Sequence, residues 1–351
     1  MSIKTTSYYR DRYVRHLPTS FCTGCGNGMI LNSFVRAVDE LGVDLEKILS
    51  VSGIGCSAWI PSPHFNSDTL HVTHGRAIPF ATGAKIFNNE LTTVVFTGDG
   101  DGAGIGGNHL IHAARRNIDI TTILVNNFSY AMTGGQVAPT TLLGLKTLTS
   151  PYGNLERPFD LCKLMQAAGA TYVARWTTYH IRELRRSIMA ALKNKGFSFV
   201  EVLSQCPIQQ RRLFNLRPSD QLDMSSQILE MFKESTYIRH MPREENYFYI
   251  VPKGELSLSR RKVSNILSEN SVEYKIGEVD RLFFGRILKV ECRNIESFKK
   301  SLNLVKRFAK IGKVLRSRSG KIGLGVFVSK SSKEFTDSMR EISAFEKGVE
   351  V

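Results

Sequence analysis

Over the first 205 residues the apolar positions keep two alternating rhythms. Segments 28–41, 74–88, 104–116, 160–168 and 180–194 space apolar side chains three to four apart, as a helix with one buried face requires. Between them stand short apolar runs with little polar alternation: 48–53 (ILSVSG), 92–97 (TTVVFT), 120–125 (ITTILV), 171–174 and 197–203. A strand of that kind is covered on both faces. Its alternation with helices predicts an α/β fold, a parallel sheet with helices on both faces.

Ligands of such sheets bind beyond the carboxyl ends of the strands. SGIGCS follows the first run, GDGDG the second and NNFSYAMTGGQ the third. Three glycine-rich loops on one edge are more than packing requires. Residues 128–158 show no period, and irregular segments of that length in a compact domain are functional or disordered. The pattern shifts after Met241-Pro242, where YFYIV, SRRKVSNILSE, ILKVEC, SFKKSLNLVKRFAKIG and IGLGVFV follow. This predicts two domains, 1–242 and a small C-terminal α+β domain over 243–351.

Composition bounds the chain without naming a chemistry. With 351 residues, 42% hydrophobic and 23% charged, it can bury a large core beside a smaller one. Neither a signal peptide nor a bilayer-spanning apolar stretch is visible, so a cytoplasmic protein is expected. Six cysteines are too few for a disulfide framework, which leaves metal ligation or burial. The net charge of +15 is weighted to the tail, where 23 Lys and Arg face 14 Asp and Glu in residues 243–351. A basic tail suits nucleic acid, an acidic protein such as ferredoxin, or an anionic surface; a solvated lysine-rich face accounts for most of it.

The loops carry the chemistry. In Gly98-Asp99-Gly100 the glycines let backbone amides approach a diphosphate, and Asp99 offers magnesium a hard oxygen. Asn127 arrives 28 residues later from the end of the neighbouring strand with an amide oxygen for the same ion. A lone GDG is a common turn, but paired with Asn-Asn on the next strand it favours a magnesium–diphosphate site over an empty pocket. Cys22-Thr23-Gly24-Cys25 has a chelating spacing, Cys56 follows a strand–glycine turn, and Cys206-Pro207 ends another apolar strand. An iron–sulfur cluster, structural zinc and plain burial all remain open from spacing alone. Cys162 and Cys292 have no partner at useful spacing and read as core residues. His109 and His112 share a helical face without acidic or cysteine partners nearby, so polar lining is expected there. His74 opens a helix after a strand-like stretch, a place to touch an anion. A serine elbow and a Walker loop are absent, and GIGG at 104–107 lacks the Rossmann spacing.

Taken as whole strings, FCTGCGNG, GIGCS, HGRA, TGDGDGAGIGGNHLIHAARRNID, NNFSYAMTGGQVAPTT and EVLSQCP resemble the β subunit of 2-oxoacid:ferredoxin oxidoreductases over about residues 10–240. MTGGQ with EVLSQCP is most similar to the 2-oxoglutarate type. Broad-specificity members often carry a basic residue where this chain has Gly134. Asn27 and Ala131 depart from the usual residues at their positions, and neither removes a ligand. The resemblance implies the diphosphate half of a thiamine diphosphate-binding fold. It implies a [4Fe-4S] cluster on Cys22, Cys25, Cys56 and Cys206, and Mg2+ on Asp99, Asn127 and the carbonyl of Ser129. Ile54, Gly55, Cys56, Ser57, His74, Gly100, Asp101, Ala131 and Met132 would contact thiamine diphosphate. The activity implied is oxidative decarboxylation of a 2-oxo acid to acyl-CoA and CO2, with electrons passed to ferredoxin. No catalytic residue is assigned on this chain: the activating glutamate and the coenzyme A site belong to an α subunit, with γ and δ subunits as further candidate partners. Alternatives are a pyruvate or broad-specificity enzyme, a non-redox thiamine-dependent decarboxylase subunit, and an RNA-binding protein acting through its tail. In the tail, YFYIVPKGELSLSRRKVSNILSENSVEYKIGE resembles the small module of archaeal RNA-modifying enzymes with THUMP domains; a docking module is the other expectation.

Overall fold

Each of the five apolar runs becomes a strand of one sheet. The computed structural model describes residues 4–216, 219–238, 247–252, 256–281, 285–316, 322–332 and 334–339. The strands are β1 (Ile48–Ser52), β2 (Asp68–His71), β3 (Thr92–Gly98), β4 (Thr121–Asn126), β5 (Tyr172–Thr177) and β6 (Ser198–Leu203). They lie in the order β2-β1-β3-β4-β6-β5, and every neighbouring pair is parallel. β4, β5 and β6 are buried at every position, which is why their sequences show no alternation. β2 falls on the strand-like stretch ahead of His74; three of the four residues of DTLH are exposed, and it carries no apolar run.

The helices are α1 (Thr6–Tyr13), α2 (Gly26–Leu41), α3 (Ala77–Phe87), α4 (Gly107–Arg116), α5 (Leu161–Ala168) and α6 (Ile181–Lys193). Ala77, Ile78 and Ala81 of α3, Leu110 and Ala113 of α4, and Leu161 and Met165 of α5 share one buried cluster with Val51, Val95, Leu124, Val173 and Phe199. α2 packs on α6, and Phe34 of α2 meets the Phe96 ring of β3 edge-on at 5.0 Å. Both faces of the sheet are therefore covered, as the strand composition requires. Gly42 (φ 64°) ends α2 and Gly169 (φ 101°) ends α5 in the left-handed conformation that glycine adopts without a steric penalty.

Two helices follow β6: the short α7 (Gln210–Leu213) and the longer α8 (Gln221–Ser235). The molecule divides into two units, one of residues up to 229 together with those from 324 on, the other of residues 230–323. The composition shift at Met241-Pro242 lies outside the described residues. In the second unit the short β7 (Thr236–Ile238) precedes β8 (Tyr247–Pro252), α9 (Leu256–Ser268), β9 (Tyr274–Arg281), β10 (Gly285–Cys292), α10 (Ile295–Asn303), α11 (Val305–Phe308) and β11 (Gly312–Arg316). Four of these strands form an antiparallel sheet in the order β11-β8-β10-β9. Its core gathers Ile250, Val263, Leu267, Leu288, Val290 and Phe308, an α+β unit as the sequence suggests.

The last strand behaves differently from the expectation for 243–351 as a single tail. β12 (Ile322–Ser329) pairs antiparallel with β5 through Gly325, Val326, Val328 and Ser329. Phe327, Val328 and Phe335 pack against the cluster under α3, α4 and α5. Glu334 is buried and accepts the amide of Asp119 at 3.3 Å. An apolar strand reveals its period to a reader of sequence but not its partner, here some 150 residues upstream.

Candidate cofactor cleft and cysteine cavity

β1, β3 and β4 end on the same rim of the sheet, and the three glycine-rich loops meet there. Asp99 follows the last residue of β3 and is 2% exposed. Its Oδ2 accepts the Thr140 hydroxyl at 2.6 Å and its Oδ1 the Gly100 amide at 3.0 Å. Burial outweighs these bonds and pushes its carboxyl up to about 7. No cationic side chain pairs with it among the described residues, so an ionised Asp99 calls for a cation from outside the chain.

Asn127 follows the last residue of β4, and its Oδ1 accepts the Ser129 amide at 3.2 Å. Between them Phe128 holds φ 66°, an uncommon conformation for an aromatic residue. Three contacts hold it there: the Phe128 amide donates to Asn126 Oδ1 at 3.1 Å, its carbonyl accepts the Thr141 hydroxyl at 2.6 Å, and the ring is buried. Gly100 has a second reason to lack a side chain. A Cβ there would run into the Tyr130 ring, so the glycine seats Tyr130 against the loop.

These loops enclose a cleft with about 80 Å3 of solvent space. Ile54, Gly55, Cys56, Ser57, His74, Gly100, Asp101, Ala131 and Met132 all line it, together with Asp99, Asn127 and Ser129. The carboxylate of Asp101, however, is turned toward protein donors on three neighbouring segments.

A second cavity of about 270 Å3 adjoins the first and is lined by Cys22, Cys25, Cys56 and Cys206. Cys56, Asn127, Ala131 and Met132 belong to both walls. Cys25 caps the N-terminus of α2, where its amide donates to Cys22 O at 2.9 Å and the Gly26 amide to Gln205 O at 3.1 Å. Burial pushes the Cys25 thiol up to about 12 and the Cys56 thiol up to about 11, and raises that of Cys206 as well. Positive charge among Cys25, Cys56 and Cys206 would favour their thiolates. Among the described residues no three His, Cys, Asp or Glu side chains converge closely enough to hold a single ion. The four thiols line one space. Cys162 and Cys292 are buried elsewhere, as the sequence suggests. His109 meets the Arg76 guanidinium, and His112 accepts Arg115 Nε at 3.3 Å, so neither faces a ligand cluster.

Some site residues carried no signal in the sequence. Gln210 is fully buried and ties the two cavities together. Its Nε2 donates to Asn127 O at 3.1 Å and Ser204 O at 3.0 Å, while its Oε1 accepts the Cys206 amide at 2.8 Å. Gln209 Nε2 donates to Ala131 O at 3.2 Å. Thr140 lies 41 residues beyond the carboxylate it supports. A glutamine beside Cys206 and a threonine in a long loop look like ordinary polar residues until the fold is known.

Comparison with known proteins agrees with this arrangement. Residues 53–202 match the family of thiamine pyrophosphate enzymes, C-terminal TPP binding domain. The 2-oxoglutarate synthase subunit KorB of Methanothermobacter thermautotrophicus is 60% identical over 198 residues, 56% of this chain and 69% of that one. KorB of Methanocaldococcus jannaschii is 54% identical over 215 residues, 60% of this chain and 79% of that one. Among solved structures, the 2-oxoglutarate:ferredoxin oxidoreductase of Magnetococcus marinus, with 2-oxoglutarate, coenzyme A and succinyl-CoA bound, superposes with a TM-score of 0.66. That match, at 27% identity, covers 97% of this chain and 91% of the other. A parallel sheet that brings the GDG loop, Asn127 and four cysteines to one rim, in a sequence this close to KorB, makes the chain a member of the 2-oxoacid:ferredoxin oxidoreductase β-subunit family.

Proposed function

We propose that this chain is the cofactor-bearing subunit of a cytoplasmic enzyme that oxidatively decarboxylates 2-oxoglutarate to its acyl-CoA and CO2, reducing ferredoxin. The adjoining cavities with a shared wall are the observation that carries this reading. The names of the matched KorB relatives and the ligands of the Magnetococcus enzyme favour 2-oxoglutarate over pyruvate. The four thiols speak against a non-redox decarboxylase, which has no use for them.

Asp99, Asn127 and the Ser129 carbonyl would hold Mg2+, and the cleft would take the diphosphate of thiamine diphosphate. The chemistry of the donors fits: a buried carboxylate without a cation beside two uncharged oxygens suits a hard ion. Gly55, Gly98 and Gly100 line the cleft, where no side chain of theirs keeps a diphosphate from the backbone. Cys22, Cys25, Cys56 and Cys206 would hold a [4Fe-4S] cluster, whose charge would offset the cost of ionising buried thiols. When bound, thiamine diphosphate supplies the carbanion that attacks the keto carbon, and the cluster carries electrons away singly. This chain's residues bind and orient: the Asn126–Ser129 turn places the ion ligands, Tyr130 backs the GDGDG loop, and Gln210 keeps the cysteine wall in register with the ion site.

The test is anaerobic purification with and without a co-expressed α subunit. A broad visible band bleached by dithionite, with ferredoxin reduction that needs 2-oxoglutarate, coenzyme A and the α subunit, is expected. A colourless zinc-loaded protein, or full turnover by this chain alone, would overturn the reading.

A further inference from the structure

The Asp101 carboxylate gathers three segments. Its Oδ1 accepts the Gly75 amide at 2.6 Å, His74 Nδ1 at 2.8 Å and the Ile54 amide at 3.2 Å. Its Oδ2 accepts the Thr97 hydroxyl at 2.6 Å. Only 3% of the residue is exposed, and Gly53 lies so close that a Cβ there would strike the carboxylate. Three donors crowd Oδ1 and one holds Oδ2, so the carboxylate's acceptor capacity is largely used within the protein. It is also an anion, and an anion placed against a diphosphate would repel it. Asp101 lines the cleft without being suited to touch its ligand, so any effect on that ligand runs through a neighbour.

His74 is that neighbour. With Nδ1 on Asp101, its Nε2 has no hydrogen-bond partner among the described residues, and the side chain keeps 34% exposure while lining the cleft. The Tyr130 ring stands edge-on to the imidazole at 6.1 Å. A carboxylate on one ring nitrogen orients the ring and fixes which nitrogen faces outward.

We infer that Asp101 is a positioning residue: it clamps His74 by Nδ1–H so that the Nε2–H of the imidazolium form is presented as a donor to the diphosphate oxygens. The inference rests on the reading that this cleft holds thiamine diphosphate. It differs from a purely structural role, in which Asp101 would tie the loops together whatever side chain stood at position 74.

A double-mutant cycle separates the two. The complex with its α subunit is titrated with thiamine diphosphate at saturating Mg2+, comparing wild type, His74→Ala, Asp101→Asn and the double variant. Asp101→Asn keeps the volume and an acceptor oxygen. Each single change should raise the Kd on the order of tenfold, the factor a charge-assisted hydrogen bond carries. The double variant should be no weaker than His74→Ala alone. Losses that multiply, or a wild-type Kd for His74→Ala, would overturn the inference. Should Asp101→Asn not fold, nitrogen NMR of histidine-labelled wild type without cofactor still decides. The His74 ring should carry a proton on Nδ1 whether or not Nε2 is also protonated, and a proton on Nε2 alone would refute the clamp. Absence of binding in the wild type would instead sink the assignment of the cleft itself.

Discussion

Asp99, Gln210 and Asp101 are three buried polar side chains in different surroundings, and the sequence marks the first and the last as site residues while Gln210 carries no signal. Asp99 stands in GDG, and the pairing of that motif with Asn127 points to an ion from sequence alone. Replacing it by Asn removes the charge and keeps the Thr140 and Gly100 contacts in reach. Mg2+-dependent binding of thiamine diphosphate should fall at least a hundredfold by titration, with a melting temperature equal to or above that of wild type, because a desolvated carboxyl has been removed. Gln210→Leu is expected to do the opposite. It leaves the Asn127 and Ser204 carbonyls and the Cys206 amide without their partner and should cost about 2–4 kcal/mol in urea unfolding. Nothing in QCPIQQ distinguishes Gln210 from its neighbours; its role exists only once two strand ends come together. Asp101 falls between these cases, since its motif marked it as part of the site while its partners could not be foreseen.

Elements were legible in proportion to how completely they are buried. β4, β5 and β6 are covered on both faces, so their apolar runs are unambiguous, and Phe199→Ala in β6 should cost about 3–5 kcal/mol by chemical denaturation. β2 is mostly exposed, and α1 is polar apart from three tyrosines, of which Tyr13 is buried and donates its hydroxyl to Asp39 at 2.9 Å; neither shows an apolar period. β12 was visible as a strand and misplaced as an element, because an apolar period does not say which sheet it joins. A chain ending after residue 323 would lose β12, Phe335 and Glu334, uncover an edge of β5, and leave Arg175 without the Phe327 ring that its guanidinium overlies at 5.4 Å. Such an edge invites pairing with other chains. The truncated protein should therefore aggregate or melt several degrees lower by calorimetry, whereas a tail wholly separate from the core would leave the melting temperature of residues 1–242 unchanged.

At the scale of the whole molecule, charge is distributed in a way the net value hides. The three segments that bring cysteines to the cavity, 12–38, 53–67 and 202–219, contain no Asp or Glu, while Arg12, Arg15, Arg36, Arg211 and Arg212 lie within them. Acidic carriers approach such a surface by long-range attraction, which salt weakens. Ferredoxin-coupled turnover of the complete enzyme should therefore fall several-fold between about 50 and 300 mM salt, and turnover with a small viologen dye should not. Equal salt dependence of the two would place the carrier elsewhere.

Cys56 is common to both cavities, which makes the partition between them a single residue thick. Under the proposed occupancy no relay is needed for charge to cross, and by the same token neither compartment is insulated from injury to the other. Air that dismantles the inorganic group would free the Gly55–Ser57 turn and slacken the grip on the vitamin-derived one, so the two losses should keep pace during oxidative inactivation.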